Sequence, residues 1–330
     1  MQELLWNRYR RAESSSRKLL IGSSDAPTIM GLSPWQTPMG LWLQKQDDEP
    51  SVDSNALERG RYLEPAIVQW TAARVKALQV VAGIPIGEAG IEGPEPWMAF
   101  HPDGALLIGT GEGADFNMQW RLLETKSARR NEGWGDDGND DLPLHYLAQV
   151  QFQLACLPDV QEAQVGAFLM AADALRTYVV QRDDDFIAYL IDVLGEWHLR
   201  CIVEGKAPAL DGSKAAAAFL TRQHSRAFKT MRDATPHEVA LVREFAQVKA
   251  TIKAAEAREG ELANLLRAAC GDNEGLQVEG VGKVTWRHVS GAERIDANLL
   301  RADFPDAASA CTVRGDDRRD LRFWPAKGGK

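Results

Sequence analysis

The segment 236–270 constrains the fold more than any other part of this sequence, because its apolar residues recur at helical spacing throughout. They follow alternating steps of four and three residues and skip only Glu259: Leu241, Phe245, Val248, Ile252, Ala255, Leu262 and Leu266. This period is typical of a coiled-coil seam. Gly271 follows directly, and glycine is favoured just beyond a helix C-terminus. We therefore predict one long helix over 236–270.

The segments on either side of this helix indicate the domain boundaries. Downstream, 276–279 and 283–286 flank a Gly-Val-Gly turn, which predicts a hairpin. Upstream, the run from Ser213 to Arg232 contains five basic residues and no acidic one. We predict a core domain over 1–210, a basic connecting segment over 211–235 and a C-terminal helical and hairpin region over 236–330.

In the core, candidate helices alternate with short apolar runs bounded by glycine and proline. The helical candidates are 25–46 with a turn at 31–34, 56–77, 144–157 and 186–203. The strand candidates are 80–86, 97–100, 105–108, 120–126, 165–170 and 177–181. This order fits an α/β (α+β) fold, with a mixed central sheet flanked by helices, better than a doubly wound fold.

The composition argues against a membrane or secreted protein and against metal centres held by cysteine. The 330 residues contain no apolar run near the roughly 20 residues that span a bilayer. The first 20 residues carry no apolar signal core, so we expect a cytoplasmic protein without membrane association. The four cysteines are far apart and form no CxxC pair, which argues against a zinc site and an iron–sulfur cluster.

The formal net charge of −9 by itself argues against a nucleic-acid-binding protein, which usually has a basic footprint. Net charge hides how charges are distributed, however, and a site that binds cations must itself be acidic. A local basic cluster is formed by Arg121, Lys126, Arg129 and Arg130, and an acidic loop at 136–141 follows it. The composition therefore leaves nucleic acid open as a partner.

The strand candidate at 120–126 carries two side chains suited to phosphodiester chemistry. Alternate strand residues share a face, so Glu124 and Lys126 point the same way. They could form an ordinary ion pair. Asp103, in a Pro-Asp-Gly tight-turn sequence, could equally be a turn residue. Two such carboxylates can hold Mg²⁺, and a neighbouring lysine can orient the attacking water or offset transition-state charge.

Three further polar residues join this candidate set. Glu64 follows Gly60-Arg61-Tyr62-Leu63 in a helical segment and could be an ordinary surface glutamate. Gln149 and Gln151 lie in the otherwise apolar helical candidate 144–157, about 200° apart around the axis. If the helix has one solvent-exposed face, that face accounts for one of these amides more easily than for both. An amide that is buried instead needs hydrogen-bond partners.

These residues occur in the order of a known family. Asp103, twenty intervening residues and Glu124-Thr125-Lys126 resemble the PD-(D/E)xK nuclease motif. Together with other segments they resemble the YqaJ-type viral recombinases, relatives of the phage lambda exonuclease, over roughly residues 15–205. The segments that carry the resemblance are Ile21-Gly22-Ser23-Ser24-Asp25, Gly31-Leu32-Ser33-Pro34-Trp35, Gly60 to Pro65, Pro102-Asp103-Gly104, Glu124-Thr125-Lys126 and Ala148-Gln149-Val150-Gln151.

The resemblance implies a restriction-endonuclease-like core and a role for each matching position. Asp103 and Glu124 would bind the catalytic metal, and Glu64 would complete a second metal site or position water. Lys126 would act on the nucleophilic water, with Gln149 supporting the site. Arg17 and Ser24 would hold a 5′ phosphate, although they also fit as a plain basic residue and a helix-capping serine. His101 stands where a small hydroxyl residue is expected, so it and Gln151 are further candidates without an assigned role.

The resemblance also implies an activity and partners. We expect an Mg²⁺-dependent exonuclease, with Mn²⁺ able to substitute, that degrades linear double-stranded DNA from 5′ to 3′. It would supply single strands to an annealing protein during phage or prophage recombination in a bacterial host, as a ring-shaped homotrimer. The alternatives are an endonuclease or a nuclease of opposite polarity with the same core, and a non-catalytic DNA-binding scaffold.

Overall fold

The structure is a computed structural model that describes residues 5–12, 18–46, 55–85, 88–111, 116–224, 231–291, 293, 295–313 and 321–323. The chain forms two compact units, Met1–Arg222 and Gln223–Lys330. In the described part of the chain, no helix is both long enough and apolar enough to cross a lipid bilayer.

A five-stranded mixed sheet organises the first unit, which confirms the predicted fold class. Its strands are β2 (Gln79–Ala82), β5 (Gly104–Thr110), β6 (Asn117–Ala128), β7 (Glu162–Leu169) and β8 (Ala174–Gln181). They lie in the order β2-β5-β6-β7-β8, and β6 pairs in parallel with β7 while the other neighbours are antiparallel. Because β6 is the central strand, it has a neighbouring strand on each side, and its residues Leu122 to Thr125 are buried.

Helices flank this sheet, most of them at positions predicted from apolar spacing, but the helix over Lys214–Gln223 lies in the predicted connecting segment and was not predicted. They are α1 (Ala26–Ile29), α2 (Pro38–Gln46), α3 (Asn55–Arg74), α4 (Leu144–Ala155), α5 (Asp184–Trp197) and α6 (Lys214–Gln223), with a π-helical turn over His198–Val203. The middle and end of α4 are almost wholly buried. Burial of such apolar side chains drives folding at roughly 25 cal/mol per Å² of apolar surface. The helix that carries Gln149 is therefore held rigidly in the core.

A second, small sheet was not predicted from the sequence. It has the order β1-β4-β3, formed by β1 (Ile21–Gly22), β3 (Ile91–Glu92) and β4 (Met98–Phe100). Its strands β1 and β3 are two residues long, too short for an alternating pattern to be seen in sequence. Ile21, Ile91 and Met98 are fully buried, so this sheet fixes the loop after β1 to the core.

The second unit contains the predicted long helix and hairpin. Helix α7 spans Pro236–Cys270 and begins with a capping box between Thr235 and Glu238. Strands β9 (Gly275–Val278) and β10 (Gly282–Thr285) form the hairpin, and the short helices α8 (Ala297–Asp303) and α9 (Pro305–Ala310) follow. The heptad residues are largely exposed, for example Leu241 and Ile252 at 52% each.

Helix α6 lies within the segment predicted to connect the two regions. The Phe219 ring packs edge-on against Trp42 with centroids 5.4 Å apart, which attaches α6 to the first unit. Residues 225–230, later in the same segment, lie outside the described residues. The basic residues Lys214 and Arg222 therefore belong to a helix of the first unit, and the domain boundaries at 210 and 235 stay predictions.

Candidate active site

The central strand β6 presents Glu124 and Lys126 side by side. The Lys126 ammonium donates a short hydrogen bond to Oε1 of Glu124. The Glu124 side chain is 3% exposed and that of Lys126 17% exposed, so the pair is largely shielded from water. Two opposite charges on alternate residues of a central strand are thus fixed relative to each other by the pleat of the strand.

Asp103 lies directly before β5, where antiparallel pairing places it next to Glu124. The register aligns Gly104 with Leu123 in antiparallel strands, so Asp103, the residue before Gly104, faces Glu124, the residue after Leu123. Oδ2 of Asp103 accepts hydrogen bonds from the Thr125 amide at 2.7 Å and from its hydroxyl at 2.8 Å. Thr125 therefore anchors Asp103 to the strand position between Glu124 and Lys126.

A close backbone approach also fixes the position of Asp103. A Cβ atom added at Gly83 would lie 2.0 Å from the Pro102 carbonyl oxygen and 2.7 Å from the Asp103 carbonyl carbon and oxygen. Only glycine permits this contact, because any side chain would push the two segments apart. The end of β2 thus presses against the turn that carries Asp103.

Two glutamines of α4 complete the environment of Glu124. Gln149 Nε2 donates to Oε1 at 2.8 Å, and Gln153 Nε2 donates to Oε2 at 2.7 Å. The two glutamines are four residues apart and therefore share one helix face. Gln153 was not among the predicted site residues. Its spacing of four from Gln149 was the available signal.

The other candidate amide, Gln151, is placed in a different network. Its Nε2 donates to the Gln181 carbonyl at 2.7 Å, and its Oε1 accepts from the Asp183 amide at 3.1 Å. Gln151 thereby joins α4 to the end of β8. It is as buried as Gln153, and both ends of its amide have internal partners, whereas the buried Oε1 of Gln153 has none among the described residues.

The loop after β1 reaches the site through Ser23. Gln153 Nε2 also lies 3.3 Å from the Ser23 hydroxyl oxygen, which accepts its second hydrogen bond. The next residue, Ser24, is exposed. The predicted phosphate-binding Ser24 is therefore adjacent in sequence to a residue bonded to the Glu124 network, whereas Arg17 lies outside the described residues.

Glu64 and His101 lie at the margins of this cluster. Glu64, on α3, and Asp103 both line an open cavity of about 230 Å³, together with Pro65, Val80 and Gly83. His101 Nε2 is 2.9 Å from the Glu88 carbonyl oxygen, so one ring nitrogen is occupied by the backbone. The structure brings Glu64 and Asp103 to one cavity and gives His101 a structural hydrogen bond.

Burial and the charges of the site together raise the pKa values of Asp103, Glu64 and Lys126. Burial and then the Glu124 carboxylate raise the pKa of Asp103 to about 8, against the opposing effect of Lys126. Burial and Glu124 also raise the pKa of Glu64. Burial alone would lower the pKa of Lys126, but Glu124 and Asp103 outweigh it and the pKa is raised. Three carboxylates thus compete for one ammonium, and the site favours an added cation.

The donor set suits a hard divalent cation. Asp103 commits Oδ2 to Thr125, and Glu124 accepts from Lys126, Gln149 and Gln153, which orients both carboxylates. In the described part of the chain, no three His, Cys, Asp or Glu residues stand close enough to enclose a metal ion. Mg²⁺ usually keeps several waters and takes only one or two protein carboxylates. Asp103 and Glu124 fit that requirement, with Glu64 lining the same cavity as Asp103.

A comparison with protein families supports the predicted resemblance. Residues 6–160 match the model of the YqaJ-like viral recombinase domain, a range that contains Glu64, Asp103, Glu124, Lys126 and Gln153. This match covers slightly less than half of the chain. The predicted resemblance to the YqaJ-type viral recombinases is thereby confirmed, and the matched range includes the central strand, the Asp103 turn and the helix that carries the two glutamines.

A curated relative and two solved structures are similar to the chain. The uncharacterized protein YqaJ of Bacillus subtilis (strain 168) is 27% identical over 297 residues, covering 88% of this chain and 86% of the relative. The alkaline exonuclease LHK-Exo from Laribacter hongkongensis is 17% identical with a TM-score of 0.41, covering 64% of this chain and 96% of that chain. A phage related exonuclease from Haemophilus somnus 129PT is 11% identical with a TM-score of 0.37, covering 57% and 97%.

Proposed function

We propose that this YqaJ-domain protein is a metal-dependent nuclease that hydrolyses DNA phosphodiester bonds. The observation that carries the proposal is the anchoring of Asp103 by Thr125 between Glu124 and Lys126. A carboxylate pair and an ammonium are thereby held together in a shielded cluster beside an open cavity. A structural ion pair would need only Glu124 and Lys126, and neither Asp103 nor the paired glutamines.

Mg²⁺ is the cofactor that we propose, with Mn²⁺ able to replace it. Asp103 and Glu124 would hold the ion, and Glu64 would contribute from the cavity side. When bound, the metal supplies a Lewis acid that polarises the phosphate and lowers the pKa of a bound water. The excess of carboxylates over ammonium groups at this site supports cation binding.

Lys126 supplies positive charge rather than a general base. Its pKa is raised by Glu124 and Asp103, so the ammonium form persists at neutral and moderately alkaline pH. An ammonium held by Glu124 can donate a hydrogen bond to a phosphate oxygen or to the attacking water. Gln149 and Gln153 donate to both oxygens of Glu124 and so keep that carboxylate oriented while Lys126 moves between partners.

The finer assignment follows the family. We propose 5′-to-3′ exonuclease action on linear double-stranded DNA, with Arg17 and Ser24 binding the 5′ phosphate and a single-strand annealing protein taking the product. The exposed position of Ser24, next to the Gln153 contact at Ser23, supports its part in this. We also propose a homotrimer and a role in phage-type recombination in the bacterial cytoplasm.

End-labelled DNA tests polarity and mode together. Linear duplexes carry a 5′ phosphate and a label on one strand only, and closed circular duplex serves as the substrate without ends. With Mg²⁺ we expect mononucleotide release from the phosphorylated 5′ end and intact circles. Release from the 3′ end would contradict the proposed polarity, and cutting of circles would contradict the exonuclease mode. In the same assay, Ser24→Ala should weaken the preference for 5′-phosphorylated over 5′-hydroxyl ends.

A further inference from the structure

Trp35 is a large aromatic side chain that the fold leaves in solvent near the proposed active site. It is 71% exposed. Single exposed apolar residues are common on protein surfaces and need no explanation by themselves. Trp35 differs because its backbone and ring are both fixed. The Ser33 hydroxyl accepts from the amides of Trp35 and Gln36 at 3.3 Å each, which closes the turn that carries the ring.

The ring of Trp35 leans on the imidazole of His145. Their centroids are 4.9 Å apart at an interplanar angle of 89°, an edge-to-face contact. Burial and the nearby Lys126 charge lower the pKa of His145, so the imidazole is neutral at physiological pH. The buried Nε2 of His145 has no hydrogen-bond partner in the described part of the chain. His145 thus supports Trp35 as a neutral aromatic ring and adds no second cation.

These rings lead directly to the proposed catalytic lysine. The Tyr146 centroid lies 4.1 Å from that of His145 and 6.0 Å from that of Trp35. Lys126 Nζ lies 5.1 Å from the Tyr146 centroid. On its other side Tyr146 packs against the buried Trp134, with centroids 5.2 Å apart. One ring therefore separates the exposed Trp35 from Lys126, and the aromatic group is rooted in the core.

We propose that Trp35, supported by His145 and Tyr146, stacks on an unpaired nucleobase of the strand whose phosphate lies at Glu124 and Lys126. A nucleotide has a flat apolar base joined to an anionic phosphate, and this surface offers a flat apolar ring beside an ammonium. Stacking on an aromatic side chain tolerates every base, because each base has a π face. The inference rests on the proposed nuclease function and assigns a base-binding position to that site.

Binding to DNA with one missing base tests the stacking contact. The full chain is titrated in EDTA, which prevents cleavage, with labelled duplexes that carry a 5′ phosphate and an abasic nucleotide at the first, second or third position. Fluorescence anisotropy reports affinity for wild type, Trp35→Ala and Trp35→Phe. Trp70→Ala is the matched control, since Trp70 is also exposed, at 46%, and makes its own ring contact with Phe168.

We expect the abasic nucleotide to weaken wild-type binding about tenfold at one of the three positions. Trp35→Ala should bind intact DNA about tenfold more weakly and should no longer distinguish intact from abasic DNA. Trp35→Phe should keep most of the effect, and Trp70→Ala all of it. Because the Trp35 ring is exposed, the thermal unfolding temperature of Trp35→Ala should match that of wild type.

The proposal is overturned if Trp35→Ala discriminates intact from abasic DNA as wild type does, or if wild type does not bind these duplexes at all. Its failure is separable from that of the nuclease function. A wild type that cleaves DNA with Mg²⁺ but shows no abasic effect contradicts stacking alone. A wild type that shows the abasic effect but cleaves no DNA contradicts the nuclease and leaves a base-stacking DNA-binding protein.

Discussion

Thr125 holds Asp103 with two hydrogen bonds to one oxygen, from its amide at 2.7 Å and its hydroxyl at 2.8 Å. Asp103 lies directly before β5 and Thr125 within β6, so a single residue joins the turn and the strand that supply the proposed metal ligands. The side chains on either side of Thr125 are Glu124 and Lys126. The residue between the two charged positions of the motif is therefore part of the site.

Replacing Thr125 by valine should weaken metal binding without unfolding the protein. Valine keeps the shape and the backbone bond but removes the hydroxyl, so Asp103 loses one of its two anchors. Loss of a hydrogen bond that orients a metal ligand typically costs about 10–100-fold in metal affinity or activity. The Mg²⁺ concentration for half-maximal cleavage should rise by that order. Thr125→Ser, which retains the hydroxyl, should stay near wild type, and equal effects of both variants would contradict the anchoring role.

Gln153 should matter to cleavage and Gln151 to stability alone. Gln153→Leu leaves Oε2 of the buried Glu124 without its amide donor, and we expect cleavage to fall about 10–100-fold. Gln151→Leu breaks equally buried hydrogen bonds to Gln181 and Asp183 and should cost about 1–3 kcal/mol of unfolding free energy. Cleavage rates per folded molecule and urea unfolding separate the two. Equal loss of cleavage in both variants would assign Gln153 a structural role.

Asp103→Asn should stabilise the protein at alkaline pH when no metal is present. The pKa of Asp103 is raised to about 8 by burial and by Glu124, so the folded form holds a proton that the unfolded chain releases near pH 3.9. That stabilising proton is lost as pH rises through the folded pKa. Wild type therefore loses stability between about pH 4 and pH 8, and the asparagine variant does not.

The gain from Asp103→Asn should be largest above pH 8 and on the order of 1 kcal/mol, because solvent reaches part of the side chain. Thermal unfolding in EDTA at pH 5 and pH 9 measures it. No difference between the variants at pH 9, or a larger one at pH 5, would contradict the direction of the shift.

Mg²⁺ should stabilise wild type and should act more strongly as pH rises. A cation that binds only the folded state adds RT ln(1 + [L]/Kd) to the unfolding free energy, or about 2.7 kcal/mol at one hundred times Kd. Because the metal must displace the proton of Asp103, apparent affinity should increase from pH 6 to pH 9. The rise in unfolding temperature with Mg²⁺ should be absent in Asp103→Asn. An equal rise in that variant would place the binding site elsewhere.

The sequence predicted those parts of the fold in which local pattern and final environment agree. Helix α7 shows its heptad period and its C-terminal glycine in sequence, and the structure has it over Pro236–Cys270. The strands β1 and β3 have two residues each and form by pairing with distant segments, β4 for both and also Arg11 for β3, so the local sequence carries no strand pattern. The exposure of the heptad residues likewise depends on what surrounds α7 and not on their spacing.

The geometry of the candidate site could be predicted from the sequence for residues on one strand. It was harder to predict for the glutamines, whose contacts depend on the helix face that carries them. The pleat of β6 puts Glu124 and Lys126 together from their spacing alone. Gln153 was not predicted, although its spacing of four from Gln149 places the two side chains on a shared helix face. The bonds of Gln151 to Gln181 and Asp183 come from distant parts of the chain, and spacing within α4 carries no information about them.

The most direct test of the proposed function compares wild type and Lys126→Ala on linear duplex DNA, with Mg²⁺ and with EDTA. Lys206→Ala, at an exposed ion pair with Glu204, controls for loss of a lysine. We predict cleavage by wild type and Lys206→Ala with Mg²⁺ only, and a loss of at least about 100-fold in Lys126→Ala. Folded wild type that leaves linear and circular DNA intact with both Mg²⁺ and Mn²⁺, or Lys126→Ala that cleaves at the wild-type rate, would contradict a nuclease site built on Asp103, Glu124 and Lys126.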